Sequence, residues 1–146
     1  MKKDDIRLDQ ETKIWFYCIF SALFFSGILW LVIHYFYNGQ IEFDSPSAAW
    51  QPMLMKIHGA TAMGALVILG VLIPAHMQRG WKQRRNLFAA SILIGLCVVM
   101  ILSGYGLYYC GDDQLRSWVS GVHSAAGCLL PFILLWHIVS GRKSQK

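Results

Sequence analysis

The chain has 146 residues, 55% of them hydrophobic and only 14% charged, well below the quarter or so of charged residues in an ordinary soluble domain. Its net charge of +5 is gathered in a few short basic segments, a pattern that serves membrane topology and gives nucleic-acid binding no support. The apolar residues fall in runs of about twenty, the length that spans a bilayer, which leaves almost nothing for a soluble domain.

Residues 1–13 read as a cytoplasmic tail carrying Lys2, Lys3, Arg7 and Lys13. The first expected span covers 14–37 and is rich in aromatic residues. Those at its ends suit the aromatic belt of a membrane interface. Acidic residues (Asp4, Asp5, Asp9, Glu11) crowd its front and no A-x-A-like site follows, so it reads as a retained helix and not a cleaved signal peptide. The segment from Asn38 to Pro52 holds Gly39, Pro46 and Pro52 among polar residues and reads as a loop.

The second span covers 53–76 and carries Gly59, Gly64 and Gly70, with Pro74 expected to bend its last turn. The third covers 87–109 and the fourth 118–140. Arg79, Lys82, Arg84 and Arg85 join spans two and three, and Arg142, Lys143 and Lys146 follow span four. The other two loops hold Glu42 and Asp44, and Asp112 and Asp113 with the single Arg116. The positive-inside rule then puts both termini and the Arg79–Arg85 segment on the cytoplasmic side. The expected fold is all-α: one four-helix, up-down transmembrane domain over 14–140, with a cytoplasmic tail at 141–146. No internal sequence repeat is evident beyond two histidine-bearing spans alternating with two that lack such pairs.

The four cysteines form no disulfide framework. Cys18, Cys97 and Cys128 fall inside spans, and only Cys110 lies near the outer face. No C-x-x-C-H is present, which excludes covalent c-type haem attachment.

Histidines carry the chemistry. Side chains that ionise or ligate are rare within a membrane and mark functional sites there. His58 and His76 are eighteen residues apart in span two, and His123 and His137 fourteen apart in span four. At about 100° per residue the first pair shares one helix face, and the second is offset by only about 40°. Spans two and four run in the same direction. His58 therefore matches His123 in height on the outer side, and His76 matches His137 on the inner side. The two rises are about 27 Å and about 21 Å, a mismatch that tilted haem planes and the Pro74 bend must absorb, with His76 the weakest member. Two imidazoles fill the last two positions of haem iron and leave no open site, which makes an electron carrier. Cations for the propionates are at hand: Lys56 and Arg116 on the outer side, Arg79 and Arg142 on the inner side. Gly127, one turn beyond His123, would admit a porphyrin edge. His34, at the outer end of span one, has no partner histidine. It reads as an interfacial residue or as a proton acceptor beside a quinone site.

The fourth span, from Gly121-Val122-His123 to Leu135-Trp136-His137-Ile138-Val139-Ser140-Gly141-Arg142, resembles the last haem-binding helix of membrane di-haem cytochromes b. The stretch Leu102-Ser103-Gly104-Tyr105-Gly106-Leu107-Tyr108-Tyr109 looks like the glycine-tyrosine segment in the cytochrome b subunits of nickel–iron hydrogenases and formate dehydrogenases. In that superfamily the first helix often supplies a haem ligand. Here span one offers only His34, so the closer analogue is a four-helix member with all ligands on helices two and four. The resemblance implies two b haems, quinone chemistry, partner redox subunits (a cytochrome or an iron–sulfur protein), and a multi-pass place in a bacterial inner membrane. Electrons would pass across the bilayer between the quinol/quinone pool and a partner, making the chain the electron-transfer subunit of a quinone-linked oxidoreductase. The alternative is a non-redox membrane anchor or assembly subunit whose histidines are structural.

Overall fold

The computed structural model describes residues 9–37, 46–84 and 86–143. The basic residues Lys2, Lys3, Arg7, Arg85 and Lys146 and the acidic pair Glu42 and Asp44 lie outside the described residues. The elements are α1 (Gln10–Tyr37), α2 (Pro46–Leu72), a π-helical turn (Ile73–Met77), α3 (Gln78–Lys82), α4 (Leu87–Tyr109) and α5 (Asp113–Lys143). Among the described residues there is no strand. Helices α1, α2, α4 and α5 are each long and apolar enough to cross a membrane, which marks a multi-pass membrane protein.

Three of the four long helices begin earlier than hydropathy indicates, because helix starts are set by caps and not by the apolar run. Asp9 Oδ2 accepts the backbone N–H of Thr12 at 2.9 Å. Asp112 Oδ1 accepts that of Leu115 at 2.7 Å. Each carboxylate satisfies an orphan N–H of a first turn, so α5 starts at Asp113 and not at Trp118. The expected loop up to Pro52 is shortened as well. α2 is helical from Pro46, with Pro52 inside it, and proline at the first position costs a helix no hydrogen bond.

The chain divides into two compact units, 1–79 and 80–146. In the first, α1 packs on α2. Leu54, Ala65, Ile68 and Leu72 are buried on α2, at intervals of eleven, three and four residues that keep them on one helix face. Ser26 and Leu23 of α1 meet His58 of α2, whereas Ile19 meets Gly64. The contacts move down α1 as they move up α2, so the pair is an antiparallel hairpin. In the second unit α4 packs on α5 in the same sense: Gly106 with Val119, Gly104 with His123, Met100 with Gly127, and Asn86 with Gly141.

Proline explains the irregular end of α2. Pro74 has no N–H and its ring crowds the carbonyl four residues earlier. The chain widens into a π turn over Ile73–Met77, closed by the Gln78 N–H on the Ile73 carbonyl. The expected bend is thus a loosened turn with i→i+5 bonding. Between α3 and α4 two non-glycine residues, Arg84 (φ 50°) and Asn86 (φ 51°), adopt left-handed backbone.

Large apolar side chains cover the outside of the helices. Phe25, Met63 and Phe132 are each about two-thirds exposed. Water would penalise such a surface heavily, and hydrocarbon would not.

Candidate functional site

Each hairpin seats one histidine of its second helix against a serine–glycine pair on its first. In the first unit, Nδ1 of His58 lies 3.0 Å from the Leu23 carbonyl and 3.2 Å from Ser26 Oγ. A carbonyl only accepts, so Nδ1 carries the proton and donates. The Ser26 hydroxyl gives its own proton to the same carbonyl at 3.0 Å, which leaves its oxygen to accept from His58. The ring passes so close to Gly27 that a Cβ there would stand 2.9 Å from His58 Cε1.

The second unit repeats the arrangement. Nδ1 of His123 lies 2.8 Å from Ser103 Oγ. Ser103 donates its single proton backwards to Val99 O at 2.6 Å, with Met100 O at 3.3 Å. With its proton on that short bond to Val99 O, its oxygen accepts from a protonated Nδ1 of His123. A Cβ on Gly104 would stand 3.4 Å from His123 Cε1. Ser26 and Ser103 are both buried, at 6% and 8% exposure, as polar groups are when their hydrogen bonds are complete.

In a neutral imidazole with the proton on Nδ1, the lone pair is on Nε2. Metal-bound histidines have this polarity: the distal N–H donates to a carbonyl, carboxylate or other acceptor, and this fixes tautomer and ring orientation. The donor chemistry at His58 and His123 thus fits an iron–imidazole bond through Nε2.

His76 and His137 are placed differently. His76 sits half-buried within the π turn, where looser winding shifts its azimuth from the value computed for a regular helix. At His137 the neighbour is the Asn86 amide. Asn86 Nδ2 donates to the His137 carbonyl at 3.0 Å, which fixes the amide's orientation, and the same nitrogen lies 3.4 Å from His137 Nδ1. A donor facing Nδ1 has the opposite polarity to that at His58 and His123, although at 3.4 Å the contact is weak.

The remaining expected site residues spread out. Lys56, Arg79, Arg116 and Arg142 are all exposed, as propionate partners at the membrane surface would be. Gly127 does not open an empty slot on α4, because Met100 Cε would lie 3.5 Å from a Cβ there. His34 stacks on Trp30 one turn before it, with ring centroids 4.6 Å apart and planes 11° from parallel, and meets Tyr35 edge-on. A shallow groove along α5, lined by Ser117, Trp118, Gly121, Val122 and Ala125, is wide open and includes no histidine. Among the described residues no three His, Cys, Asp or Glu side chains gather as they would around a bare metal ion. All four cysteines are free thiols.

The orienting residues Leu23, Ser26, Gly27, Ser103, Gly104 and Asn86 were not singled out as site residues from the sequence. It contains four Ser–Gly dipeptides, at 26–27, 103–104, 120–121 and 140–141. Only contact across each hairpin selects the first two.

No protein-family model, curated protein or solved structure matches the chain.

Proposed function

We propose that the chain is a di-haem b-type membrane cytochrome that carries electrons between a quinol/quinone pool and a redox partner subunit. His58, His76, His123 and His137 are the axial ligands in this reading. The observation that supports it is the pair His58 and His123, each with Nδ1 against a buried serine of its own hairpin and so able to present Nε2 to iron. The fourteen-residue spacing that sets His137 nearly on the face of His123 along α5 supports the second haem. When bound, bis-imidazole haem supplies one-electron chemistry with no open coordination position.

The chain's own side chains have three tasks. Nε2 of each histidine donates its lone pair to iron. Ser26, the Leu23 carbonyl and Ser103 hold the opposite edge of the outer rings. Exposed Lys56 and Arg116, and Arg79 and Arg142, meet anionic propionates where the helices reach the membrane surface. Apolar outer faces exclude water from the helix seams. His34, stacked on Trp30, would exchange a proton with a quinone in this reading.

The test is the reduced-minus-oxidised absorbance of the purified full chain, with haem extracted and counted. The expected result is a b-type band with two haems per chain. Absence of that band overturns the reading and leaves a membrane anchor or assembly subunit with structural histidines.

A further inference from the structure

The serine–glycine seats are the feature that the cytochrome reading does not by itself require. A buried serine on a membrane helix has a simple local outlet: its hydroxyl bonds back to a carbonyl three or four residues earlier. Ser26 and Ser103 both do this. With the hydroxyl proton on that bond, the oxygen lone pairs face the opposite helix, where each serine meets Nδ1 of a histidine. The hydroxyl therefore acts as a one-way acceptor. A freely rotating hydroxyl could serve either tautomer of imidazole, but one already committed to a backbone carbonyl serves only the Nδ1–H form. The adjacent glycine lets the ring lie close enough, since any Cβ at position 27 would collide with His58.

We propose that Ser26 and Ser103 are positioning residues that lock His58 and His123 in the Nδ1–H tautomer and so present Nε2 as the ligating nitrogen. The identity of the metal rests on the cytochrome reading, whereas the tautomer rests only on the hairpin geometry. The two seats are unequal. His58 has a second acceptor in the Leu23 carbonyl at 3.0 Å, so its tautomer survives loss of Ser26. At His123 the contact of Nδ1 is with Ser103 Oγ, at the shorter distance of 2.8 Å.

The experiment is 15N NMR of the full chain in micelles, labelled at histidine and prepared without haem, followed by titration with ferric protoporphyrin IX. His58 and His123 should both show a protonated Nδ1. Ser103→Ala should move the His123 signals toward the other tautomer and weaken uptake of the porphyrin by about tenfold or more, the usual effect of removing an orienting partner. Ser103→Thr, which keeps the hydroxyl, should restore both. Ser26→Ala should shift His58 less and weaken uptake less. A protonated Nε2 on His123 in the parent chain, or His123 signals unmoved in Ser103→Ala, overturns the proposal. If the parent shows the expected tautomers but takes up no porphyrin, the cytochrome reading falls while the tautomer lock stands. If porphyrin binds but the tautomer is wrong, the lock falls and the cytochrome stands.

Discussion

Ser103 Oγ lies 2.8 Å from Nδ1 of His123 and 2.6 Å from Val99 O. A hydroxyl has one hydrogen, so donation to Val99 O leaves its oxygen to accept from a protonated Nδ1. That arrangement would make an ordinary membrane-helix serine a polarity filter for the imidazole opposite it.

The glycines beneath the rings should tolerate a methyl group unequally. Gly27→Ala would put Cβ 2.9 Å from His58 Cε1, against 3.4 Å from His123 Cε1 for Gly104→Ala. Overpacking of the first kind costs roughly 1–3 kcal/mol. The expected result is a clear loss of thermal stability in detergent for Gly27→Ala and a small change for Gly104→Ala. Equal stabilities would mean that His58 does not sit over Gly27.

Two single substitutions test the proposed ligands. If the chain is the proposed cytochrome, His58→Ala and His123→Ala should each lower the haem count and weaken the reduced b-type band. An unchanged haem count in either variant would show that the replaced histidine is not a ligand.

Asn86 both adopts a left-handed backbone and clamps the end of α5. Asn86→Gly keeps the backbone and loses the amide bond to the His137 carbonyl, a cost of about 1 kcal/mol. Asn86→Ala loses the bond and also places in the left-handed region a residue that, unlike Gly or Asn, visits it at a penalty of roughly 1–2 kcal/mol. The alanine variant should therefore be the less stable of the two in a denaturation series, and the reverse order would remove the backbone argument.

Asp9 gives a pH dependence with a definite sign. Hydrogen bonds from the Thr12 side chain, and then its backbone N–H, hold the Asp9 carboxyl below its ordinary value, with a smaller contribution from Lys13. A carboxylate whose value is lowered by folding stabilises the cap above the ordinary carboxylate range and loses that contribution as pH falls through the lowered value. Amide exchange at Thr12 should quicken in that acidic window, after correction for intrinsic rates. Asp9→Asn, which caps without titrating, should remain flat there.

The four membrane helices were legible because a twenty-residue apolar run has few other uses. Their ends were not, since Asp9 and Asp112 extend helices into polar sequence that hydropathy assigns to loops. The histidines stood out because such side chains are costly in a bilayer. Their seats did not. Ser26 and Ser103 look like any small membrane-helix residue until the register of each hairpin is known. The absence of an evident sequence repeat likewise hid a repeated contact: Ser26 is thirty-two residues before its histidine and Ser103 twenty, so no fixed period relates them. The azimuth of His76 was computed for a regular helix, an assumption that the turn at Ile73–Met77 breaks.

Because the His58 and His123 imidazoles are each tied down by their own hairpin, their rotameric freedom is already lost when that hairpin forms. Capture of the proposed flat prosthetic group at these rings would then involve little further ordering entropy, and such preorganisation would favour tight retention. A hairpin without its serine would instead have to immobilise the ring at the moment of capture.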